Sequence, residues 1–149
     1  MPLPSHIQLQ VVSADRSLVN ERVDEIEIPG ADGYFGVLPG HTPLLASLGT
    51  GEMWYRKGQE KVFVALASGF AEVLPDKVTI LARIAERAED IDVPRAEAAR
   101  KRAEERLAQP KSEIDYDRAQ AALMRAVARL QVSRHLGAAS TRARDTAKG

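Results

Sequence analysis

Near residue 82 the hydrophobic pattern of this chain changes from a period of two to a helical period, so one polypeptide must build strands first and helices afterwards. His6-Ile7-Gln8-Leu9-Gln10-Val11-Val12 alternates. Val23-Asp24-Glu25-Ile26-Glu27-Ile28 does too, given a bulge or edge irregularity near Asp24 that lets Val23 bury with the isoleucines. Gly58 separates Met53-Trp54-Tyr55-Arg56 from Lys61-Val62-Phe63-Val64-Ala65-Leu66, a hairpin pattern; Pro75-Asp76 separates Phe70 to Leu74 from Lys77 to Leu81 in the same way. Short strands with turns this frequent predict an antiparallel β-sandwich.

After Leu81 turn residues thin out and alanine takes over. Asp92 is an N-cap and Pro94 lies in the first turn, where no intrahelical donor is needed, so a helix is expected over Val93 to Ala108. Gln109-Pro110-Lys111 stops it. Ser112 or Asp115 starts a second helix, expected to run to Leu136 with Gly137 as its C-cap. Two helices with a tight connection form an antiparallel hairpin. The fold class is therefore β + α: a sandwich over residues 1–86, a helical hairpin over 87–136, and a polar tail over 137–149 expected to be disordered.

Ala96, Ala99, Ala103 and Leu107 share one face of the first helix; Ala119, Ala122, Leu123, Ala126, Val127 and Leu130 share one face of the second. A contact made mostly of methyl groups packs closely but holds modestly, since a buried leucine contributes about 1.5–3 kcal/mol and a methyl much less. Such an arm can come apart or leave the sandwich.

Charge divides along the same line. Residues 1–92 carry 8 Lys+Arg and 14 Asp+Glu, a net of −6, and residues 93–149 carry 13 and 7, a net of +6. The basic half has one aromatic residue, Tyr116, and its charges lie on patterned helices, which argues against stacking on nucleic acid and for an acidic protein partner. There is no cysteine, hence no disulfide or thiolate metal site. Met1-Pro2-Leu3-Pro4-Ser5-His6 has neither a basic nor an apolar leader region, and no window has the length to cross a bilayer, so the chain is expected to stay where it is made.

No catalytic constellation stands out. His6, His41 and His135 lack partners at ligand spacing, and no nucleophile elbow, dinucleotide fingerprint or P-loop is present. Two arginine stripes do stand out: Arg95, Arg102 and Arg106 on the first helix, and Arg118, Arg125 and Arg129 on the second. Guanidinium forks suit phosphates or carboxylates. They also suit a merely solvated face.

Gly33-Tyr34-Phe35-Gly36-Val37-Leu38-Pro39-Gly40-His41-Thr42-Pro43-Leu44-Leu45 packs glycine and proline around a small apolar cluster, as a loop of one intended shape requires. It resembles the glycine-proline-histidine-proline segment of the epsilon subunits of rotary F-type ATP synthases, and the resemblance extends from about Ile7 to Leu136. Ile91-Asp92-Val93-Pro94-Arg95-Ala96 is similar to the [IL]-D-x-x-R-A motif with which some bacterial members bind ATP, Pro94 occupying a free position.

The resemblance implies a regulatory ATP site made of Glu86, Ile91, Asp92, Arg95, Ala96, Arg125 and Arg129, with adenine and ribose near Ile91, Asp92 and Ala96 and phosphates on the arginines. No residue there is placed to activate water, so the site would sense ATP rather than hydrolyse it, and no cofactor is required. The same resemblance implies a non-catalytic central-stalk subunit that couples gamma to the proton-driven c ring and inhibits ATP hydrolysis through its helical arm. ATP would favour the folded arm and relieve the inhibition. Tyr34, His41 and Thr42 are the implied c-ring contacts, Tyr34 standing where some relatives have an acid. Arg118, Arg125 and Arg129 are the implied contacts to the beta subunits of the alpha-beta catalytic head. The place would be peripheral, on the cytoplasmic face of the inner membrane. A free-standing ATP sensor and a nucleic-acid adaptor using the arginine stripes are the alternatives; neither accounts for the Gly33 to Leu45 run.

Overall fold

The computed structural model describes residues 3–146. Eight strands come first: β1 (Ile7–Val12), β2 (Ser17–Val23), β3 (Glu25–Gly30), β4 (Gly33–Val37), β5 (Leu44–Ser47), β6 (Thr50–Lys57), β7 (Glu60–Val73) and β8 (Lys77–Arg87). A 3-10 turn, Ala88–Asp90, leads into α1 (Val93–Ala108) and α2 (Glu113–Thr146).

The hydrogen-bonded path runs β2-β1-β8-β7-β6-β3-β4, with β5 also on β7. The β1–β8 pair is parallel and the other strand pairs are antiparallel. Strand β7 is what lets one path become two layers. Its first half pairs with β6 (Thr50↔Ala67 to Lys57↔Glu60) and its second half, on the same side, with β5 (Leu44↔Val73 to Ser47↔Phe70). The partner changes at Ser68 and Gly69, both at positive φ, where the pairing with β8 lapses at Ser68 and resumes at Gly69 in the same register. A Cβ on Gly69 would collide with the Leu81 carbonyl oxygen, so only glycine fits. Ile7, Leu9, Ile26, Ile28, Met53, Tyr55, Leu66 and Ile80 fill the space between the layers, each almost wholly removed from solvent.

Several expectations need correction. Phe63 and Phe70 belong to one bent strand rather than two. Val23 closes β2 while Ile26 and Ile28 belong to β3, and Asp24 between them is the irregularity: its N–H donates to Arg56 O (2.8 Å) and its carboxylate accepts from the Gly58 N–H (2.7 Å). The Gly33 to Leu45 run is not one loop. It is strand β4, a turn over Leu38 to Pro43, and the start of β5. Gly40, at φ 86°, donates its N–H to Pro75 O (2.7 Å), fastening that turn to the β7–β8 hairpin.

The helices follow their signals. Asp92 Oδ1 accepts from the Arg95 N–H (3.1 Å), and the Ser112 hydroxyl oxygen accepts from the Asp115 N–H (3.0 Å) while the Asp115 carboxylate accepts from the Lys111 N–H (3.2 Å). Helix α2, however, continues through Gly137 to Thr146 instead of stopping at Leu136. One internal glycine costs about 1 kcal/mol, which flanking helix formers can offset. Residues 147–149 of the expected tail lie outside the described residues.

Helix α1 packs against α2, and α2 packs against β6, β7 and the 3-10 turn. Ala96 and Ala103 of α1 and Ala119, Ala126 and Leu130 of α2 are buried as expected, but Val127 is exposed. In its place Ala128 and Val132 are buried, because α2 has a second face to cover, the one turned to the sandwich.

Candidate functional site

The contact between α2 and the sandwich has a simple geometry. In register across three strands lie Glu52 (β6), Ala65 (β7) and Glu86 (β8), an acid–apolar–acid row. Helix α2 meets it with residues three apart. Arg129 grips Glu86, with Nη2 to Oε1 at 2.9 Å and Nε to both oxygens at 3.2 Å. Val132 packs with Ala65 and Ile91, against Phe63. His135 Nε2 hydrogen-bonds Glu52 Oε1 (2.8 Å), and its ring lies parallel to Phe63, centroids 3.4 Å apart. Three helical residues advance about 4.5 Å and neighbouring strands stand about 4.8 Å apart, so the helix crosses the strands at a matched step.

Beside that row opens a cleft of ≈ 570 Å³ between sandwich and arm. Its walls come from the β1–β2 turn (Ser13, Asp15, Arg16), β8 (Arg83, Ile84, Ala85, Glu86), the start of α1 (Asp92, Arg95, Ala96, Ala99, Arg102), Asp90 and Arg129. Five arginines meet four acids here. Arg16 is paired with Asp90 (3.2 Å) and Arg129 with Glu86. Among the described residues Arg83, Arg95 and Arg102 have no carboxylate partner, and Asp92 is occupied in capping α1. Ile84, Ala85, Ala96 and Ala99 supply apolar wall. The donor set therefore suits an anion with an apolar or planar part.

Of the expected ATP residues, Glu86, Asp92, Arg95, Ala96 and Arg129 line this cleft together. Ile91 does not. It is 9% exposed and packs with Ala65 and Val132, anchoring the arm. Arg125, half-buried on α2, stands outside the cleft walls. Sequence reading missed Arg16 and Arg83, which carry no local motif, and placed Arg102 only in a stripe.

The remaining expected residues fall in separate places. Tyr34 lies against a second cleft of ≈ 490 Å³ with Glu52, Trp54, Phe63 and His135, and its hydroxyl accepts from the Glu52 N–H (3.2 Å). His41 and Thr42 sit in the Leu38 to Pro43 turn, the His41 ring bonded to the Thr42 carbonyl (2.6 Å). Arg118 is exposed, whereas Arg129 of the same stripe is engaged on the sandwich. Among the described residues there is no cluster of metal-ligating side chains, and no helix is long and apolar enough to cross a membrane.

Two family descriptions match in tandem: the beta-sandwich domain of the ATP synthase delta/epsilon chain over residues 6–88, and its long alpha-helix domain over residues 89–134. The ATP synthase epsilon chain of Koribacter versatilis is 53% identical over 100 residues, 67% of this chain and 70% of that one. The ATP synthase epsilon chain of Syntrophobacter fumaroxidans is 54% identical over 101 residues, 68% of this chain and 75% of that one. A chain of the Euglena gracilis mitochondrial ATP synthase, solved with its F1 and c ring, superposes with a TM-score of 0.74 at 27% identity, over 83% of this chain and 79% of that one. A chain of the central stalk and c ring of the Tetrahymena thermophila enzyme shares the fold at 10% identity, with a TM-score of 0.55. With a β-sandwich, a two-helix arm and relatives of this closeness, the chain belongs to the ATP synthase delta/epsilon family, a non-catalytic regulatory and coupling subunit of that synthase.

Proposed function

We propose that this subunit ties gamma to the c ring of a proton-translocating synthase and restrains ATP hydrolysis by releasing its helical arm. The observation that carries the proposal is the narrowness of the arm's hold. Helix α1 is packed on α2, and α2 meets the sandwich largely through Arg129, Val132 and His135. Burying Val132 contributes about 1.5–3 kcal/mol, and a partly exposed ion pair about 1 kcal/mol or less. A ligand at 100 times its dissociation constant, bound to one arm state alone, adds about 2.7 kcal/mol to that state. The two are of one order, so a ligand in the cleft can decide where the arm lies. ATP is that ligand on the chemistry of the walls, held by Arg95, Arg102 and Arg129 with its base against the apolar wall. When the arm extends, Arg129 leaves Glu86 and joins Arg118 and Arg125 on a basic edge that suits acidic segments of the beta subunits in the alpha-beta head.

The sandwich offers two surfaces for the other partners. Phe70 and Leu81 are cross-strand neighbours on the outer face of β7 and β8, and both are more than half exposed. Exposed apolar side chains side by side mark a docking face, here for gamma. Leu38, Leu45, His41 and Thr42 lie in or beside the turn after β4, an apolar edge with two polar groups, here for the c ring. A c-ring contact at this edge would hold the subunit at the membrane surface through its complex.

The test is ATP hydrolysis by a catalytic head lacking this subunit, with the full chain or residues 1–90 added back. The sandwich core is drawn from residues between Ile7 and Ala85, so the shorter form retains it. The full chain is expected to inhibit at low ATP and less at high ATP, and residues 1–90 to bind without inhibiting. Equal inhibition by both forms would remove the arm from the mechanism.

A further inference from the structure

We infer that the contact between His135 and Glu52 makes arm docking respond to pH, acid holding the arm on the sandwich and alkali loosening it; this rests on the reading of the arm as one that docks and releases. Of the three residues with which α2 meets the sandwich, Val132 carries no charge and Arg129 is a guanidinium, charged throughout. His135 is an imidazole, the side chain whose charge changes between pH 5 and 8.

The geometry fixes the sign. His135 Nε2 stands 2.8 Å from Glu52 Oε1, and the ring lies parallel to Phe63 with centroids 3.4 Å apart. In the docked arm the Glu52 side chain is 19% exposed and that of His135 is 38% exposed, so the carboxylate is drawn largely out of water. A neutral imidazole meets that carboxylate with one ordinary hydrogen bond and leaves its charge uncompensated. An imidazolium forms an ion pair with Glu52 and a cationic stack on Phe63 at once. Once the arm is released neither contact exists. The docked state therefore binds the proton more tightly, and by linkage the proton favours docking. The hold that the pair adds is full below the imidazole range and is lost as pH rises through it.

The surroundings favour the same sign. The cleft about His135 is lined by Glu27 of β3, Tyr34 of β4, Trp54 of β6, Phe63 of β7 and Arg134 of α2, besides Glu52. Two carboxylates thus face one guanidinium, and Arg134 is exposed to solvent. The Lys61 ammonium lies over the Trp54 ring, 4.1 Å from its centroid, and the Tyr34 hydroxyl is bonded to the Glu52 N–H. Helix α1, the 3-10 turn and β8 bring no described residue to this cleft.

The test uses the full chain carrying dyes at Asp32→Cys, in the β3–β4 turn, and Lys111→Cys, between the helices, so that fluorescence energy transfer reports the arm between pH 8 and pH 5.5. It is run on the otherwise native chain and on Val132→Ala, which weakens the hold so that both arm states are populated. Combined replacement of Arg129, Val132 and His135 by alanine supplies the released reference. The ratio of docked to released arm is expected to rise about fivefold from pH 8 to pH 5.5, the difference between a neutral and a charge-assisted hydrogen bond. His135→Gln, which keeps a donor but takes up no proton, and Glu52→Gln are expected to flatten that profile, while His6→Gln and His41→Gln keep it. A flat native profile in both backgrounds, or the same rise in His135→Gln, overturns the inference and leaves the releasable arm standing. If the triple alanine variant gives the same transfer as the native chain, the arm does not release and both readings fall.

Discussion

Ser68 and Gly69, at φ 60° and 131°, are the residues on which the sandwich turns, because they move β7 from one partner strand to the next. Gly69→Ala must push a methyl into the Leu81 carbonyl while holding a dihedral that alanine avoids, so it is expected to cost about 2 kcal/mol or more, read as a lower midpoint in urea unfolding. A near-normal midpoint would mean that the bend can be made without glycine. Asp24 sets a pH dependence at the same scale. The Gly58 N–H first, and His6 second, hold its carboxyl below the ordinary value of 3.8. A depressed carboxyl contributes stability that is full above about 3.8 and is lost as pH falls through the folded value. Asp24→Asn should therefore flatten the loss of stability below that pH, and an unchanged acid profile would contradict this. Asp92, Pro94, Gly58 and Pro75 were legible in the sequence because capping and turning are local acts. Arg16 and Arg83 were not, since what makes them site residues is helix α1, which begins at Val93 and which the fold brings over them.

Helix α2 and the β6–β7–β8 face fit as a row on a row. Residues 129, 132 and 135 step across Glu86, Ala65 and Glu52, and each step of the helix matches a strand spacing. His135→Ala removes both the Glu52 hydrogen bond and the stack on Phe63. It is expected to speed hydrogen exchange at α1 and α2 amides several-fold while leaving strands β1, β7 and β8 protected, as measured by mass spectrometry. Unchanged exchange in the arm would show that Val132 and Arg129 suffice. The element pattern in the sequence was clear where burial alternates, as in β1 and β6, and where caps bracket alanine, as in α1. It was opaque in β4 and β5, which are short and largely exposed. It misled at Gly137, where a residue that usually ends helices lies inside one. The second buried face of α2, Ala128 and Val132, could not be separated from the first because both faces are made of small side chains.

At the scale of the whole molecule the acidic sandwich and the basic arm are opposite charges joined by one short segment, and the docked arm spends Arg129 on Glu86 rather than on a neighbour. The account requires that the docked arm be the permissive state and the released arm the brake. A bond across the row tests this directly. The chain has no cysteine of its own, so Ala65→Cys with Val132→Cys, neighbours in the buried cluster, allows α2 to be pinned to β7 by oxidation and freed by reduction. The measurement is ATP hydrolysis by the catalytic head with this double variant bound, before and after reductant. The account predicts no inhibition while the bond is closed and inhibition restored on reduction, whereas equal inhibition in both states would contradict it.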